Sequence, residues 1–167
     1  MPHPSPTRQP VHLVGASVRG AAHSAWRAGW RDVRCVDLFG DRDLARLFPT
    51  TAVPLADYPR GLVAAIEGET GPTIYTGALE NRPDLLAKLP QPLWGNPPDV
   101  VRQVRDPHLW HDALQTAGLP VPALRFEPTT SSKPRWLVKP IRSGGGLGIH
   151  PYGGGSFNPR THFLQVS

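Results

Sequence analysis

The chain has 167 residues, of which 39% are hydrophobic and 19% charged, so it can form one domain or one domain and part of another. This composition excludes a wholly disordered chain, the single cysteine excludes an internal disulfide, and no apolar run is long enough to span a membrane. The net charge is +5, but the cations accompany no aromatic ladder or groove-reading helix, so we expect no binding to nucleic acid. We expect a globular cytoplasmic protein that does not bind membranes.

The first part of the chain alternates short β-prone runs with helical stretches. Residues 1–10 are rich in proline and lack an apolar core, which predicts a disordered leader. Residues 11–98 then predict four strands, at 11–14, 33–39, 51–55 and 73–76, and a fifth short strand with a turn at 93–98. Helices at 21–28, 41–47, 62–67 and 83–87 separate them. Cys35 falls in the second apolar run, which predicts a buried and unreactive thiol. This order is typical of a Rossmann-like α/β domain with a parallel sheet.

Two turns follow strands at the edge where parallel sheets usually bind ligands. The first contains Gly15 and Ser17, and Ser17 stands where a dinucleotide fingerprint has its second glycine. Asp37, about 20 residues later, imitates the acid that binds a ribose, although a plain strand–helix turn explains the same residues. The second turn contains Glu80 and Asn81, which could bind a substrate amine or hydroxyl or could cap the helix that follows. These four turn residues are candidate substrate contacts.

Residues 99–125 predict a connecting helix and a turn. The helix covers about 99–117, with a break at Asp106-Pro107 because proline cannot continue the hydrogen-bond ladder. His108 and His111 are three residues apart on it, but no third ligand is evident, so solvated polar groups are the preferred interpretation and no metal site is predicted.

The last part of the chain, residues 126–167, contains the motif with most chemical information. An apolar strand, 136–141, carries Lys139 and is followed by a turn that contains Gly144, Gly145, Gly146 and Gly148. Glycine-rich turns let backbone N–H groups converge on phosphate oxygens, and a lysine adds a point charge. All 13 acidic residues lie at or before Glu127, so residues 128–167 carry cations and no carboxylate, which suits a polyanion. The lysine precedes the glycines, unlike the order in a P-loop or a protein-kinase loop.

These features together resemble the ATP-grasp enzymes. Val138-Lys139-Pro140 and the following Ser143-Gly144-Gly145-Gly146-Leu147-Gly148 are similar to their lysine strand and flexible phosphate loop, and Gly118-Leu119-Pro120-Val121-Pro122 to the turn before it. The resemblance implies a fold with two parts: a Rossmann-like parallel sheet, called the pre-ATP-grasp domain, at 11–98, and an incomplete α+β ATP-grasp subdomain at 126–167.

The resemblance also implies functions for individual residues. Lys139 would bind ATP phosphate oxygens, and the lid over the β- and γ-phosphates would consist of Ser143, Gly144, Gly145, Gly146 and Gly148. The chemistry of the family is ligation of a small-molecule carboxylate to an amine through an acylphosphate, with ATP and Mg²⁺.

The chain departs from the family pattern in two places. Relatives carry an Asp-Lys pair before the connecting turn, whereas this chain has Asp106-Pro107, with Arg102 or Arg105 as electrostatic substitutes. Relatives also supply the Mg²⁺ ligands from the second half of the ATP-grasp domain, and no acidic residue follows Glu127 here. We therefore expect a truncated protein that is inactive by itself.

Two other interpretations stay open. One is a non-catalytic α/β module that binds a nucleotide or another small ligand. The other is a subunit that completes its site with another chain, and the sequence leaves the oligomeric state open. A terminal strand at 163–166 has no following partner, so an exposed, aggregation-prone edge is predicted there.

Overall fold

A computed structural model describes residues 9–77, 79–131 and 133–167. The predicted leader lies outside these residues as far as position 8. The chain divides into two compact units, the first ending at Val101 and the second beginning at Arg102. Each unit has its own four-stranded sheet, and none of the described helices has the length and apolar character that a membrane span needs.

The first unit contains a parallel sheet with the strand order β3-β2-β1-β4. Leu13 of β1 is in register with Cys35 of β2 on one side and with Ile74 of β4 on the other. Because both faces of such a sheet are covered, all four residues of the central strand β1 are buried, His12 included. The strands are β1 (Val11–Val14), β2 (Val33–Asp37), β3 (Thr50–Ala52) and β4 (Thr73–Tyr75).

Short helices cover this sheet on both faces and divide the core of the first unit in two. Leu13 packs in a cluster with Val18 and Ala22, whereas Val14, the next residue, packs with Leu62 and Leu86. This alternation follows from the two-residue period of a strand. The helices are α1 (Arg19–Arg27), α2 (Arg42–Leu47), α3 (Arg60–Ala64) and α4 (Pro83–Leu86), with 3₁₀ turns at Leu55–Asp57 and Leu79–Asn81.

The predicted fifth strand at 93–98 is wrong. Leu93 forms only an isolated parallel bridge to Thr73, which is anchored by hydrogen bonds from Thr73 N to Pro92 O and from Trp94 N to Thr73 O. Pro92 just before this segment and Pro97 and Pro98 at its end have no backbone N–H donor, so a longer ladder cannot form.

The connecting helix is broken where the sequence predicts. It forms α5 (Pro98–Val104) and α6 (Pro107–Thr116), and Pro107 begins the second helix. Asp106 is the N-cap of α6, because its carboxylate accepts hydrogen bonds from the backbone N–H groups of His108 (2.9 Å) and Leu109 (3.4 Å). The Asp-Pro pair therefore starts a helix as well as ending one.

The second unit contains an antiparallel sheet with the strand order β5-β8-β6-β7. Trp136, Val138 and Leu164 form its buried core, with Tyr152, Phe157 and Val166 packed around them. The two sheets confirm the predicted fold class, a parallel α/β part followed by an α+β part. The strands are β5 (Leu124–Arg125), β6 (Trp136–Pro140), β7 (His150–Pro151) and β8 (His162–Val166).

The prediction of an exposed terminal strand is wrong, because β8 lies inside the sheet. It pairs with β6 over its whole length, from Pro140 opposite His162 to Trp136 opposite Val166. On its other side, Leu124 and Arg125 of β5 pair with Gln165 and Leu164. The edges of the sheet are the two-residue strands β5 and β7, and such short edges offer little template for aggregation.

Candidate functional site

The turn after β1 is closed by hydrogen bonds to its neighbours. The backbone N–H of Ala16 donates to Gly77 O (3.2 Å), Leu38 N donates to Ala16 O (3.2 Å), and the hydroxyl of Thr76 donates to Ser17 O (2.9 Å). The N–H of Ala16 and the hydroxyl of Thr76 are donors engaged in this way, so they are not available to a pyrophosphate. The turn therefore joins three strand ends and does not form the open cradle of a dinucleotide site, although Ser17 itself is exposed.

Gly15 is required at its position by packing. A Cβ atom built there would fall on the hydroxyl of Thr76, well inside contact distance, and Gly15 is buried. The absence of a side chain thus allows Thr76 to reach Ser17 O. A role of Gly15 and Ser17 in substrate binding stays a prediction.

Two glycine-to-alanine substitutions should therefore have opposite effects. We expect Gly15→Ala to lower the free energy of unfolding by about 2 kcal/mol, the usual size of an overpacking effect. Gly20 is the matched control, because a Cβ built there, in α1, meets no atom within 4 Å. Gly20→Ala should raise stability by about 0.5 kcal/mol through helix propensity. Urea denaturation followed by circular dichroism measures both, and equal effects would contradict the packing explanation.

Asp37 is a structural residue and not a ribose ligand. Its side chain is 0% exposed, and its carboxylate accepts hydrogen bonds from Val18 N (2.8 Å), Phe39 N (2.7 Å) and Gly40 N (2.8 Å). It therefore ties the start of α1 to the turn after β2. The sequence position suits a ribose-binding acid, but the geometry leaves neither oxygen for a ligand.

Cys35, two residues earlier on the same strand, is buried as predicted. Burial raises the pKa of its thiol to about 12, and the negative charge of Asp37 adds to the effect. The thiolate is the nucleophilic form, so this cysteine is unreactive in the folded chain.

Glu80 and Asn81 lie in the 3₁₀ turn Leu79–Asn81 after β4, and both are partly buried. The N-cap residue of the following helix, α4, is Arg82, and its side chain makes no capping hydrogen bond. Burial raises the pKa of Tyr58 and of Tyr75, and the charge of Glu80 raises both further. Glu80 thus lies close to two phenol groups. Contact of these residues with a substrate stays a prediction.

Lys139 lies in β6, at the position paired with Phe163 of β8. It is partly buried, and its ammonium group donates a hydrogen bond to Gln165 Oε1 at 2.6 Å. The sequence predicted the lysine on its strand but gave no signal for this partner, which stands two positions further along the neighbouring strand. The bond holds the lysine side chain in one orientation.

The segment that we call the glycine loop (residues 143–148) folds tightly after β6. Its base is closed by Ser143, whose hydroxyl donates to Leu147 O at 2.5 Å, and Leu147 N donates to Gly144 O at 3.2 Å. Gly145 and Gly146 have φ angles of +60° and +80°, which favour glycine, and atoms built at their Cβ positions meet open space. Gly148 also has a positive φ, and it packs against Pro140.

Lys139 and the glycine loop line one cleft of about 330 Å³ in the second unit. Of the predicted phosphate-binding residues, the cleft brings together Lys139, Ser143, Gly144, Gly145 and Gly146, but Gly148 is not part of its lining. Arg105, which follows α5, supplies a second cation, and its guanidinium donates to Ser143 O at 2.5 Å. Trp110, Ile149 and Phe163 form apolar walls.

No ligand set for a metal is found in the part of the chain that the structure describes. No carboxylate lines the cleft, and no group of three or more His, Cys, Asp or Glu side chains among the described residues could hold a metal ion. The Mg²⁺ that the family resemblance implies therefore has no fitting donors here. The two histidines of α6 have other surroundings: His108 stacks on Phe126 with ring centroids 3.5 Å apart, and His111 lies beside Asp112.

No protein-family model matches the chain, and no curated protein matches it in sequence. Its structure is nevertheless similar to solved enzymes. N5-carboxyaminoimidazole synthetase from Staphylococcus aureus complexed with ADP aligns with a TM-score of 0.60 and 15% identity over 96% of this chain and 48% of that one. The L-amino acid ligase from Bacillus licheniformis aligns with a TM-score of 0.60 and 12% identity over 96% and 44%.

The biotin carboxylase subunit of pyruvate carboxylase aligns with a TM-score of 0.51 and 13% identity over 95% of this chain and 44% of that one. The chain thus spans less than half the length of each of these three enzymes. All are ATP-grasp enzymes. Over nearly its whole length, therefore, this chain has the fold of the part of these ATP-grasp enzymes with which it aligns.

Proposed function

We propose that the second unit binds the polyphosphate of ATP in the cleft beside the glycine loop. The observation that carries the proposal is the convergence of Lys139, Arg105 and the backbone of Gly144, Gly145 and Gly146 on a single cleft. An ammonium and a guanidinium group complement the negative charge of phosphate. The exposed backbone N–H groups of the glycines add donors that can approach phosphate oxygens closely. Since no carboxylate lines the cleft among the described residues, the electrostatic field there favours an anion.

The apolar walls of the cleft favour a nucleotide over inorganic polyphosphate. Trp110 and Phe163 are aromatic and Ile149 is aliphatic, and such surfaces pack well against a planar base or a ribose. ADP in the structure of the Staphylococcus aureus synthetase gives independent support, because that enzyme shares this fold. We therefore assign ATP or ADP, and not a simple oxyanion, as the ligand.

The reaction that we propose for the complete site is ligation of a small carboxylate to an amine through an acylphosphate. The support is the fold and the name of one structural neighbour, an L-amino acid ligase. As contacts to the substrate we propose four residues of the first unit, Gly15, Ser17, Glu80 and Asn81. Because the described residues hold no set of metal donors, nucleotide binding is the part of this reaction that we assign to them.

Substitution of Lys139 tests the proposal. Lys139→Met keeps the aliphatic stem but removes the ammonium, and we expect the dissociation constant for ATP to rise about 10- to 100-fold, which corresponds to one lost charge-assisted hydrogen bond of about 1.5–3 kcal/mol. Isothermal titration with ATP, ADP and adenosine measures the change. Adenosine lacks phosphate, so its weaker binding should be unaffected.

Lys133→Ala is the matched control, because this exposed lysine of the same unit is not part of the cleft lining. It removes the same charge and should change the affinity less than twofold. An equal loss in both variants would indicate a non-specific charge effect, and ATP binding unchanged by Lys139→Met would overturn the proposal. Thermal melts of each variant confirm that it is folded.

A further inference from the structure

Arg105 connects the segment between α5 and α6 to the glycine loop. Its guanidinium donates to the backbone carbonyl of Ser143 at 2.5 Å, across 38 residues of sequence, and the contact is partly buried. Ser143 is the first residue of the glycine loop and is also the residue whose hydroxyl closes the loop onto Leu147. Arg105 therefore holds the loop at its base.

The tip of the glycine loop is exposed. At the tip, Gly145 and Gly146 have open space around both Cβ positions, and Leu147 is 79% exposed. Among the described residues, no backbone carbonyl accepts a hydrogen bond from the N–H of Gly145 or Gly146. Two adjacent glycines also have a large conformational entropy, so a fixed base limits how many positions the loop samples.

We propose that Arg105 is a positioning residue that orders the glycine loop over the cleft before the ligand arrives. A guanidinium has five N–H donors in a planar fork, so it can bond to a carbonyl and still contribute charge to the cleft that it lines. Ordering the loop in advance lowers the entropy lost on binding, which strengthens binding of a polyphosphate. The consequence for affinity rests on the nucleotide binding proposed above.

Anchoring of the glycine loop through Ser143 and a purely electrostatic effect of Arg105 predict different behaviour of the unliganded protein. If Arg105 only contributes positive potential, its loss leaves the loop of the unliganded protein unchanged. If it anchors the loop, its loss increases local opening even without nucleotide. The amides of Leu147 and Ile149 report this opening, because they donate to Gly144 O and Gly146 O inside the turn.

Hydrogen–deuterium exchange of the unliganded chain tests the anchor directly. In Arg105→Ala, we expect the Leu147 and Ile149 amides to exchange about tenfold faster, with exchange of β1 unchanged. Arg102→Ala is the matched control, since Arg102 is exposed, lies in the preceding helix and is not part of the cleft lining, and its loop exchange should equal that of the original chain. Arg105→Lys, which keeps the charge but not the fork, should give an intermediate rate.

Titrations complete the test. Arg105→Ala should weaken the affinity for ATP and ADP about tenfold and leave the affinity for adenosine unchanged. Arg105→Lys should restore only part of the lost affinity. Unchanged loop exchange in a folded Arg105→Ala variant would overturn the proposal whether or not ATP binds. Faster loop exchange in a chain that binds no ATP would instead sustain the anchor and overturn the proposed function.

Discussion

Replacement of Asp37 with alanine is expected to lower the free energy of unfolding by about 3–5 kcal/mol, the largest effect that we foresee for a single polar side chain here. The carboxylate is 0% exposed and accepts three backbone hydrogen bonds, from Val18, Phe39 and Gly40. Truncation leaves these three donors without their partner inside the first unit. A buried donor that loses its acceptor costs about 1–3 kcal/mol, which makes the sum large even when the site relaxes.

Asp37→Asn separates shape from charge. The amide has almost the same volume, but its NH₂ group must face one of the three donors, so we expect an intermediate loss of about 2 kcal/mol. Asp32→Ala is the control, because Asp32 is exposed just before the same strand, and its removal should change stability by less than about 0.5 kcal/mol.

The single cysteine offers a local measurement of the Asp37 variants. Cys35 is buried in β2, and burial raises the pKa of its thiol to about 12, so it reacts with a disulfide reagent only when the first unit opens. The labelling rate at fixed pH should increase in the order Asp32→Ala, Asp37→Asn, Asp37→Ala. Labelling of Asp37→Ala as slow as that of the original chain would show that other groups replace the carboxylate.

The structural role of Asp37 could not be predicted from its surroundings in the sequence. The strands and helices of the first unit were predictable because continuous apolar runs alternate with helical stretches. The partners of Asp37 depend instead on which strand ends become neighbours, since Val18 is 19 residues away. Local spacing therefore suggested a ribose ligand, whereas tertiary structure makes the same acid an internal acceptor.

The candidate site was also predictable from the sequence only in part. The order of Lys139 before the glycines is a local feature, and it was sufficient to predict a lysine strand followed by a glycine turn; binding of phosphate there stays a prediction. The bond from Arg105 to Ser143 O and that from Lys139 to Gln165 join residues 38 and 26 positions apart. Pairs at such separations depend on strand register and loop course, which no periodicity in one sequence specifies.

The position of β8 could not be inferred for a related reason. Its second partner, β5, has only two residues, Leu124 and Arg125, and a segment of that length has no readable period. The partner also precedes β8 in the chain by about forty residues, so the residues next to 163–166 give no indication of it. Pairing on both sides changes what a substitution in this strand should do.

Leu164→Ala tests the central position of β8. Leu164 is 0% exposed and forms the core of the second unit with Trp136 and Val138, so we expect a loss of about 3 kcal/mol, within the 2–5 kcal/mol typical of buried Leu→Ala changes. Leu119→Ala is the control, because Leu119 is 52% exposed in the same unit and should cost less than about 0.5 kcal/mol. Both values come from urea denaturation, with hydrogen exchange of the β6 amides as the local measurement.

A loss below 1 kcal/mol would contradict the buried, doubly paired position of β8. Such a small loss is expected only for a strand at the edge of a sheet, where the surrounding chain can collapse around the smaller side chain. A loss of the expected size would make β8 the strand that holds Lys139 in register, and would link the stability of this small core to the geometry of the proposed nucleotide site.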